Sequence, residues 1–126
     1  MKKLYGIIAS FVLIVIDQIT KYLIVSNFSL NEEKELITNV FSLEYIRNTG
    51  AAWGIMSNQT SFFIVFSSIV CIFLFVLYYK IPKDKKYNIL SWIIILLVSG
   101  AIGNLIDRIA YGYVIDYLNF YIFNSF

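Results

Sequence analysis

The sequence predicts an all-α integral membrane helical bundle that forms a single domain over residues 1–126. Hydrophobic residues make up 60% of the chain and charged residues only 14%, and a soluble domain of this size cannot bury so much apolar side chain. Three apolar stretches each approach the ~20 residues that a helix needs to cross a bilayer core. The charged residues gather between these stretches and near their ends.

The first predicted transmembrane helix covers about residues 4–25, directly after two N-terminal lysines. It has no small-residue cleavage site and continues into the polar run DQITK at residues 17–21, so we expect an uncleaved anchor rather than a removable signal. Asp17 and Lys21 are four residues apart, which places them on one helix face where they can pair.

The other two predicted transmembrane helices cover about residues 61–79, which carry no charge, and 89–106. Four lysines lie in the loop 80–88, whereas the segment 26–60 holds four glutamates against one lysine and one arginine. By the positive-inside rule, the N-terminus and the 80–88 loop are cytoplasmic and the 26–60 segment is extracytoplasmic.

Two features stand out in the extracytoplasmic segment. Residues 40–46 alternate well enough to predict a short strand. Asn48 followed by Gly50 favours a tight turn directly after it.

Polar residues of the first and third helices are predicted to reach the same depth. At 1.5 Å per residue, Asp17 lies roughly 20 Å along its helix, Asn104 about 22 Å and Asp107 about 27 Å. In a hydrocarbon core roughly 30 Å thick, all three lie in the outer part of the bilayer, where ionisable groups indicate function.

The third helix presents these groups on one face. Gly100, Asn104 and Asp107 follow i, i+4, i+7 spacing, with Arg108 beside them. Gly100 and Gly103 are expected to let a second backbone approach closely. Asp116 comes shortly afterwards, behind a Tyr-Gly-Tyr segment expected to be flexible.

The composition also excludes several kinds of chemistry. The chain has no histidine and a single cysteine, Cys71, which excludes a disulfide framework, a Cys/His zinc site and a histidine-assisted nucleophile. With a net charge of +2 and no basic cluster interleaved with aromatic residues, nucleic acid is not an expected partner. Catalysis would have to use carboxylates, amides, hydroxyls, lysine or arginine.

Four motifs occur in a fixed order: Asp17-Gln18-x-x-Lys21, the run from Asn48 to Trp53, Gly100-x-x-x-Asn104-x-x-Asp107-Arg108, and Val114-Ile115-Asp116-Tyr117. Together they closely resemble the lipoprotein signal peptidase (signal peptidase II) family of bacterial membrane aspartyl proteases. The resemblance implies a four-helix fold, of which three helices are present here, with a small extracytoplasmic β-rich cradle. It implies a multi-pass protein of the bacterial cytoplasmic membrane with its active site near the outer leaflet.

The resemblance also implies an activity and residues for it. Family members cut the signal peptide from a lipid-modified prolipoprotein just before the lipidated cysteine, so the expected partners are that precursor and membrane lipid, with no metal or cofactor. Asp116 matches the first catalytic aspartate. Six other positions match residues that line, shape or support the site: Asp17, Lys21, Asn48, Asn104, Asp107 and Arg108. In such a site two carboxylates cannot both ionise, so one holds a proton while the other activates water.

One departure concerns the C-terminus. In the family, the second catalytic aspartate lies in a later Phe-Asn-x-Ala-Asp motif that opens the fourth helix. This sequence ends with Phe123-Asn124-Ser125-Phe126, too soon after Asp116 for that motif. The resemblance therefore implies a C-terminally truncated member, and we predict that residues 1–126 by themselves are inactive.

Two other functions stay open at this point. One is an inactive relative that binds lipidated precursors without cutting them. The other is a small membrane transporter or channel subunit that uses Asp17 and Asp107 as an ion or proton relay. A relay needs polar groups through the full depth of the membrane, whereas the predicted ones gather at the outer level.

Overall fold

The computed structural model describes residues 3–50 and 59–120. The end of the motif that runs from Asn48 to Trp53, and the C-terminal Phe123-Asn124 stretch, lie outside the described residues.

The described residues form three long helices and three strands: α1 (Lys3–Asn27), β1 (Glu33–Ile37), β2 (Phe41–Asn48), α2 (Thr60–Lys80), α3 (Asn88–Tyr111) and β3 (Val114–Phe120), with a 3-10 turn at Lys85–Tyr87. Each long helix is long and apolar enough to cross a membrane. The fold is a helical membrane bundle with a small antiparallel sheet, as the sequence predicted. The third helix continues to Tyr111 rather than ending near residue 106.

The bundle is organised around α3, which packs against both α1 and α2. Along the α1–α3 contact, the hydroxyls of Ser10 and Ser99 hydrogen-bond at 2.8 Å. Large apolar side chains on the outward faces stay exposed, for example Phe11 at 68% and Ile72 at 65%. Continuous exposed apolar surface of this kind is expected of helices that face lipid.

The end of the bundle opposite the sheet has its own small core, formed by Tyr78, Ile81, Ile94 and Ile95. The ammonium group of Lys3 donates to the carbonyl oxygens of Tyr78 and Ile81, at 2.6 and 2.7 Å. These carbonyls lie at the C-terminal end of α2, where helical partners run out and a positive charge is favoured. Lys3 therefore ties the start of α1 to the end of α2.

The three strands form an antiparallel sheet in the order β1-β2-β3. In the β2–β3 pair, Ile46 lies opposite Asp116 and Asn48 opposite Val114, after a register shift between Leu43 and Ile46. The sheet rests on the last turns of α1 through a second core, formed by Ile24, Tyr45 and Ile115. This contact brings the strand that carries Asp116 to the end of α1.

Two local expectations change in detail. The strand predicted over 40–46 is β2, which runs from Phe41 to Asn48. The Tyr-Gly-Tyr segment before Asp116 joins the end of α3 directly to strand β3, and Asp116 lies within that strand. Gly112 ends α3 in the left-handed conformation, with φ of 84°, and its N–H bonds to the carbonyl of Arg108, so the chain turns directly into β3.

Candidate active site

The site is built around the buried ammonium group of Lys21, which is 3% exposed. It forms ion pairs with Asp17 at 3.0 Å, on the same helix, and with Asp107 of α3 at 2.8 Å. It also donates to the side-chain oxygen of Asn104 at 3.1 Å. An ammonium group has three hydrogens, and three acceptors surround this one. The i, i+4 pairing predicted for Asp17 and Lys21 is therefore confirmed, and it extends across to α3.

Asp107 is fully buried and connects α3 to β3. Its Oδ2 accepts the backbone N–H of Ile115 at 3.1 Å as well as the ammonium group of Lys21. Its Oδ1 accepts from the side-chain amide of Gln18 at 3.3 Å. A buried carboxylate is stable only when it is paired and hydrogen-bonded, and Asp107 meets both conditions.

The two helices approach closely at Gly103. A Cβ at this position would overlap the carboxylate of Asp17, so only glycine leaves room for it. The same expectation was wrong for Gly100, which is exposed and has no atom of residues 3–50 or 59–120 within 4 Å of where its Cβ would be. The contact with α1 follows the Ser99, Gly103 and Asp107 side of α3, all three buried, and this side excludes Gly100.

Asn48, the last residue of strand β2, lies beside Asp116. Its Oδ1 accepts the backbone N–H of Gly50 at 2.9 Å, which is the tight turn that the sequence predicted. The Asn48 side chain also hydrogen-bonds to the carboxylate of Asp116. Because Oδ1 already accepts from Gly50, the amide NH₂ is the group that donates to Asp116.

Arg108 links α2 and the turn that follows β2 to the site. Its guanidinium donates to the hydroxyl of Ser67 at 3.0 Å and to the carbonyl of Gly50 at 3.2 Å, and it lies 5.1 Å from the centre of the Phe63 ring. Its positive charge also acts on Asp116. The guanidinium therefore supplies a fixed positive charge beside that carboxylate.

Asp116 itself is half-buried and differs from the other two aspartates. Among the residues of 3–50 and 59–120, the ion pairs at the site involve Asp17 and Asp107, both with Lys21, and not Asp116. Burial raises the pKa of Asp116, while Asn48, Lys21 and Arg108 oppose that rise and the charge of Asp107 adds to it. Burial therefore favours the protonated form of Asp116.

The structure brings together all seven site residues named from the sequence: Asp17, Lys21, Asn48, Asn104, Asp107, Arg108 and Asp116. It adds Ser67 and Gln18, which the sequence-based set of site residues leaves out. One feature of the sequence pointed to Ser67, because its hydroxyl lies within an apolar stretch that carries no charge. Within the described part of the chain, no group of three or more His, Cys, Asp or Glu side chains is arranged to hold a metal ion.

Comparison with known proteins shows similarity to one protein family over most of the chain. The family model for signal peptidase (SPase) II matches residues 9–126. A lipoprotein signal peptidase of Symbiobacterium thermophilum is 39% identical over 116 residues, which cover 92% of this chain and 75% of the relative. One from Enterococcus faecalis is 42% identical over 120 residues, which cover 91% of this chain and 73% of the relative.

Solved structures agree with these sequence relatives. A bacterial membrane enzyme determined by the in meso method matches with a TM-score of 0.81 and 34% identity, covering 94% of this chain and 71% of its own. A second bacterial membrane enzyme, determined in the same way, matches with a TM-score of 0.76 and 36% identity, covering 94% of this chain and 76% of its own.

Proposed function

The chain belongs to the signal peptidase II family, and from that premise we propose that it is an aspartic-type membrane endopeptidase that removes the signal peptide from lipid-modified prolipoproteins. Cleavage falls just before the lipidated cysteine. Asp116 is the catalytic aspartate, and the residues around it hold and tune it.

The observation that carries this assignment is the difference between Asp116 and its two neighbours. Asp17 and Asp107 both form ion pairs with the ammonium group of Lys21. Asp116 has charges nearby without an ion pair among the described residues, and its pKa is raised by burial. A carboxyl group whose pKa is raised by burial is suited to take up and return a proton in general acid–base catalysis.

The proposed chemistry needs a second carboxylate beside Asp116. The ionised carboxylate takes a proton from water, the resulting hydroxide attacks the scissile carbonyl, and the protonated carboxyl donates its hydrogen to the departing amine. Neither Asp17 nor Asp107 is suited to be that partner, because Lys21 holds both. We therefore propose that the carboxylate that acts with Asp116 comes from outside the described residues 3–50 and 59–120.

The surroundings of Asp116 suit charge that develops during such a reaction. The guanidinium of Arg108 is held by hydrogen bonds to the Ser67 hydroxyl and to the carbonyl of Gly50. The side-chain amide of Asn48 is held by the bond that its oxygen accepts from the N–H of Gly50. Donors fixed in advance stabilise transition-state charge without reorganising. We propose that these two side chains position Asp116 and the substrate carbonyl.

The location of the site suits a substrate held in the membrane by lipid. The polar cluster lies where the ends of α1 and α3 meet the sheet, and the positive-inside rule puts that end outside the cytoplasm. We propose a multi-pass protein of the bacterial cytoplasmic membrane with a cytoplasmic N-terminus and a site near the outer leaflet. There, the scissile bond of a lipid-anchored precursor comes level with Asp116.

The relay alternative gains no support from the inner part of the bundle. On the N-terminal side of Asp17, the hydroxyls of Ser10 and Ser99 form a hydrogen bond between α1 and α3. No carboxylate continues that path among the described residues of α1 and α3, so an ion or proton relay across the membrane lacks its inner half.

A cleavage assay tests the proposed function. A lipid-modified model precursor, reconstituted in proteoliposomes, is incubated with the protein expressed from its complete gene and with its Asp116→Asn variant. We expect cleavage by the first and a loss of roughly 10³-fold or more in the second, because an amide cannot accept and return the proton. The relative from Enterococcus faecalis is the positive control, and Thr20→Val, a polar change on α1 away from the cluster, is the matched control.

Two results would separate the alternatives. Binding of the precursor without cleavage by the complete protein would favour the inactive precursor-binding relative. Near-normal cleavage by Asp116→Asn, together with loss of cleavage in Asp107→Asn, would transfer the catalytic role to Asp107.

A further inference from the structure

Gln18 occupies a position in the cluster to which no role has yet been given. It follows Asp17 on α1, and its half-buried side-chain amide lies among three acceptors. The nitrogen is 3.1 Å from Asp17 Oδ2, 3.2 Å from the carbonyl of Gly103 and 3.3 Å from Asp107 Oδ1. An amide has only two hydrogens, so at least one of them is shared.

The contact with Asp107 has the largest structural consequence. Oδ2 of that carboxylate is already engaged by Lys21 and by the N–H of Ile115. Gln18 is the donor to Oδ1, so it sets the rotation of the carboxylate about its Cβ–Cγ bond. Because Ile115 directly precedes Asp116, the Asp107 carboxylate holds the backbone of β3 at the residue before Asp116.

We propose that Gln18 is a positioning residue, which fixes the backbone of β3 at Ile115, and thereby Asp116, through the carboxylate of Asp107. The catalytic consequence rests on the proposed function, whereas the effect on the β3 backbone does not. Gln18 touches neither Asp116 nor the scissile bond in this role, and it acts only through its neighbours.

A neutral donor suits this place better than a charged group. The charged side chains that it contacts are Asp17 on α1 and Asp107 on α3, and both are paired with Lys21. The other charged or titratable groups of the cluster are Arg108 on α3 and Asp116 and Tyr117 on β3, which interact with these three residues. A carboxylate here would be a third negative charge beside Asp17 and Asp107, which share one lysine. A second ammonium group would compete with Lys21 for the same oxygens. An amide donates to both carboxylates and leaves the net charge unchanged.

Two substitutions of similar size separate hydrogen bonding from packing. Gln18→Met keeps the length of the side chain and removes the donor. Gln18→Glu also keeps the length, but its carboxyl can donate to Asp107 only while it carries a proton. The second variant therefore converts the proposed role into a dependence on pH, which a packing role would not produce. Thr20→Val is the matched control, since its hydroxyl bonds to the Ile16 carbonyl of its own helix.

The first readout is independent of activity. The backbone N–H of Ile115 is followed by two-dimensional NMR in detergent micelles, through its hydrogen exchange and its chemical shift. We expect exchange about tenfold faster in Gln18→Met, the loss expected for one hydrogen bond to a charged group. In Gln18→Glu we expect faster exchange at high pH and a return toward the wild-type rate as the pH is lowered. Thr20→Val should match the wild type.

The second readout is cleavage of the lipidated model precursor by the complete protein. We expect kcat to fall about tenfold in Gln18→Met with KM within about twofold, because a displaced Asp116 impairs the chemical step rather than substrate binding. In Gln18→Glu, kcat should recover on acidification relative to the wild type measured at the same pH. Unchanged exchange at Ile115 in both variants, or faster exchange with kcat unaffected, would overturn the proposed role. If the wild type does not cleave, the proposed function fails, and exchange at Ile115 still decides whether Gln18 orders β3.

Discussion

Removal of the ammonium group of Lys21 is the perturbation whose effect follows most directly from the structure. In Lys21→Met, the carboxylate of Asp107, which is completely buried, and that of Asp17, which is 24% exposed, lose their shared cation. Breaking a buried ion pair by removing one partner typically costs about 3–5 kcal/mol, because the other charge is left uncompensated. We expect a loss of this size, mostly through Asp107, since water can still reach Asp17.

A double-mutant cycle isolates the interaction. Asp107→Asn removes the buried charge while its remaining side-chain oxygen can still accept from the N–H of Ile115. We expect Lys21→Met combined with Asp107→Asn to be less destabilised than the sum of the single variants, by about 1–3 kcal/mol. Lys80→Met, at the exposed end of α2, is the matched control and should change stability by no more than about 0.5 kcal/mol.

The measurement is reversible unfolding by sodium dodecyl sulfate in mixed micelles, followed by circular dichroism. The free energy of unfolding is compared for the wild type, the two single variants, the double variant and the control. A loss below about 1 kcal/mol for Lys21→Met, together with additivity within about 0.5 kcal/mol in the cycle, would refute the buried ion pair as described.

Three further predictions address helix packing, membrane orientation and pH dependence. Gly103→Ala should lower the free energy of unfolding by about 1–3 kcal/mol in the same assay, because the added methyl group meets the Asp17 carboxylate that Lys21 and Gln18 hold. Gly100→Ala should be neutral or slightly stabilising, and equal effects of the two substitutions would contradict the described contact. In a background without the native cysteine, a cysteine introduced at Glu35 should react with an impermeant thiol reagent added to intact cells and one at Lys85 should not, and the reverse pattern would put the site at the cytoplasmic face. Because the pKa of Asp116 is raised in the folded protein, folding binds that proton more tightly, so this residue lowers stability as the pH rises from about 4 through its folded pKa. Asp116→Asn should remove that loss and leave the protein at least as stable as the wild type at neutral pH; a steeper loss of stability with rising pH in the variant would show that the shift has the opposite sign.

Periodicity made part of the site predictable. Asp17 and Lys21 pair because an α-helix places residues four apart on one face, and this holds before any partner helix is known. The shared depth of Asp17 and Asn104 follows from the rise per residue and the positions at which the apolar stretches begin. The tight turn after Asn48 follows from the ability of its short side chain to accept a nearby backbone N–H.

The choice between Gly100 and Gly103 shows where periodicity stops being sufficient. Both are small residues near the end of the same helix, so both suit a close contact between helices. Only the crossing of α1 over α3 selects Gly103, because the contact follows Ser99, Gly103 and Asp107 along α3. A crossing angle depends on how two surfaces pack, and neither surface alone contains that information.

The sequence by itself determined that three of its stretches are long and apolar enough to cross a membrane and that Asp17, Lys21 and Asp107 lie near one end of two of them, since both follow from local composition and helical rise. Only the tertiary structure decided which groups meet there. Lys21 donates to Asn104, 83 residues away, and Asp107 accepts the N–H that precedes Asp116. Such partners depend on the register between helices and strand and on the turn at Gly112. The raised pKa of Asp116 has the same origin, because the burial that raises it and the charges that oppose the rise come from residues that only the fold places around this carboxyl.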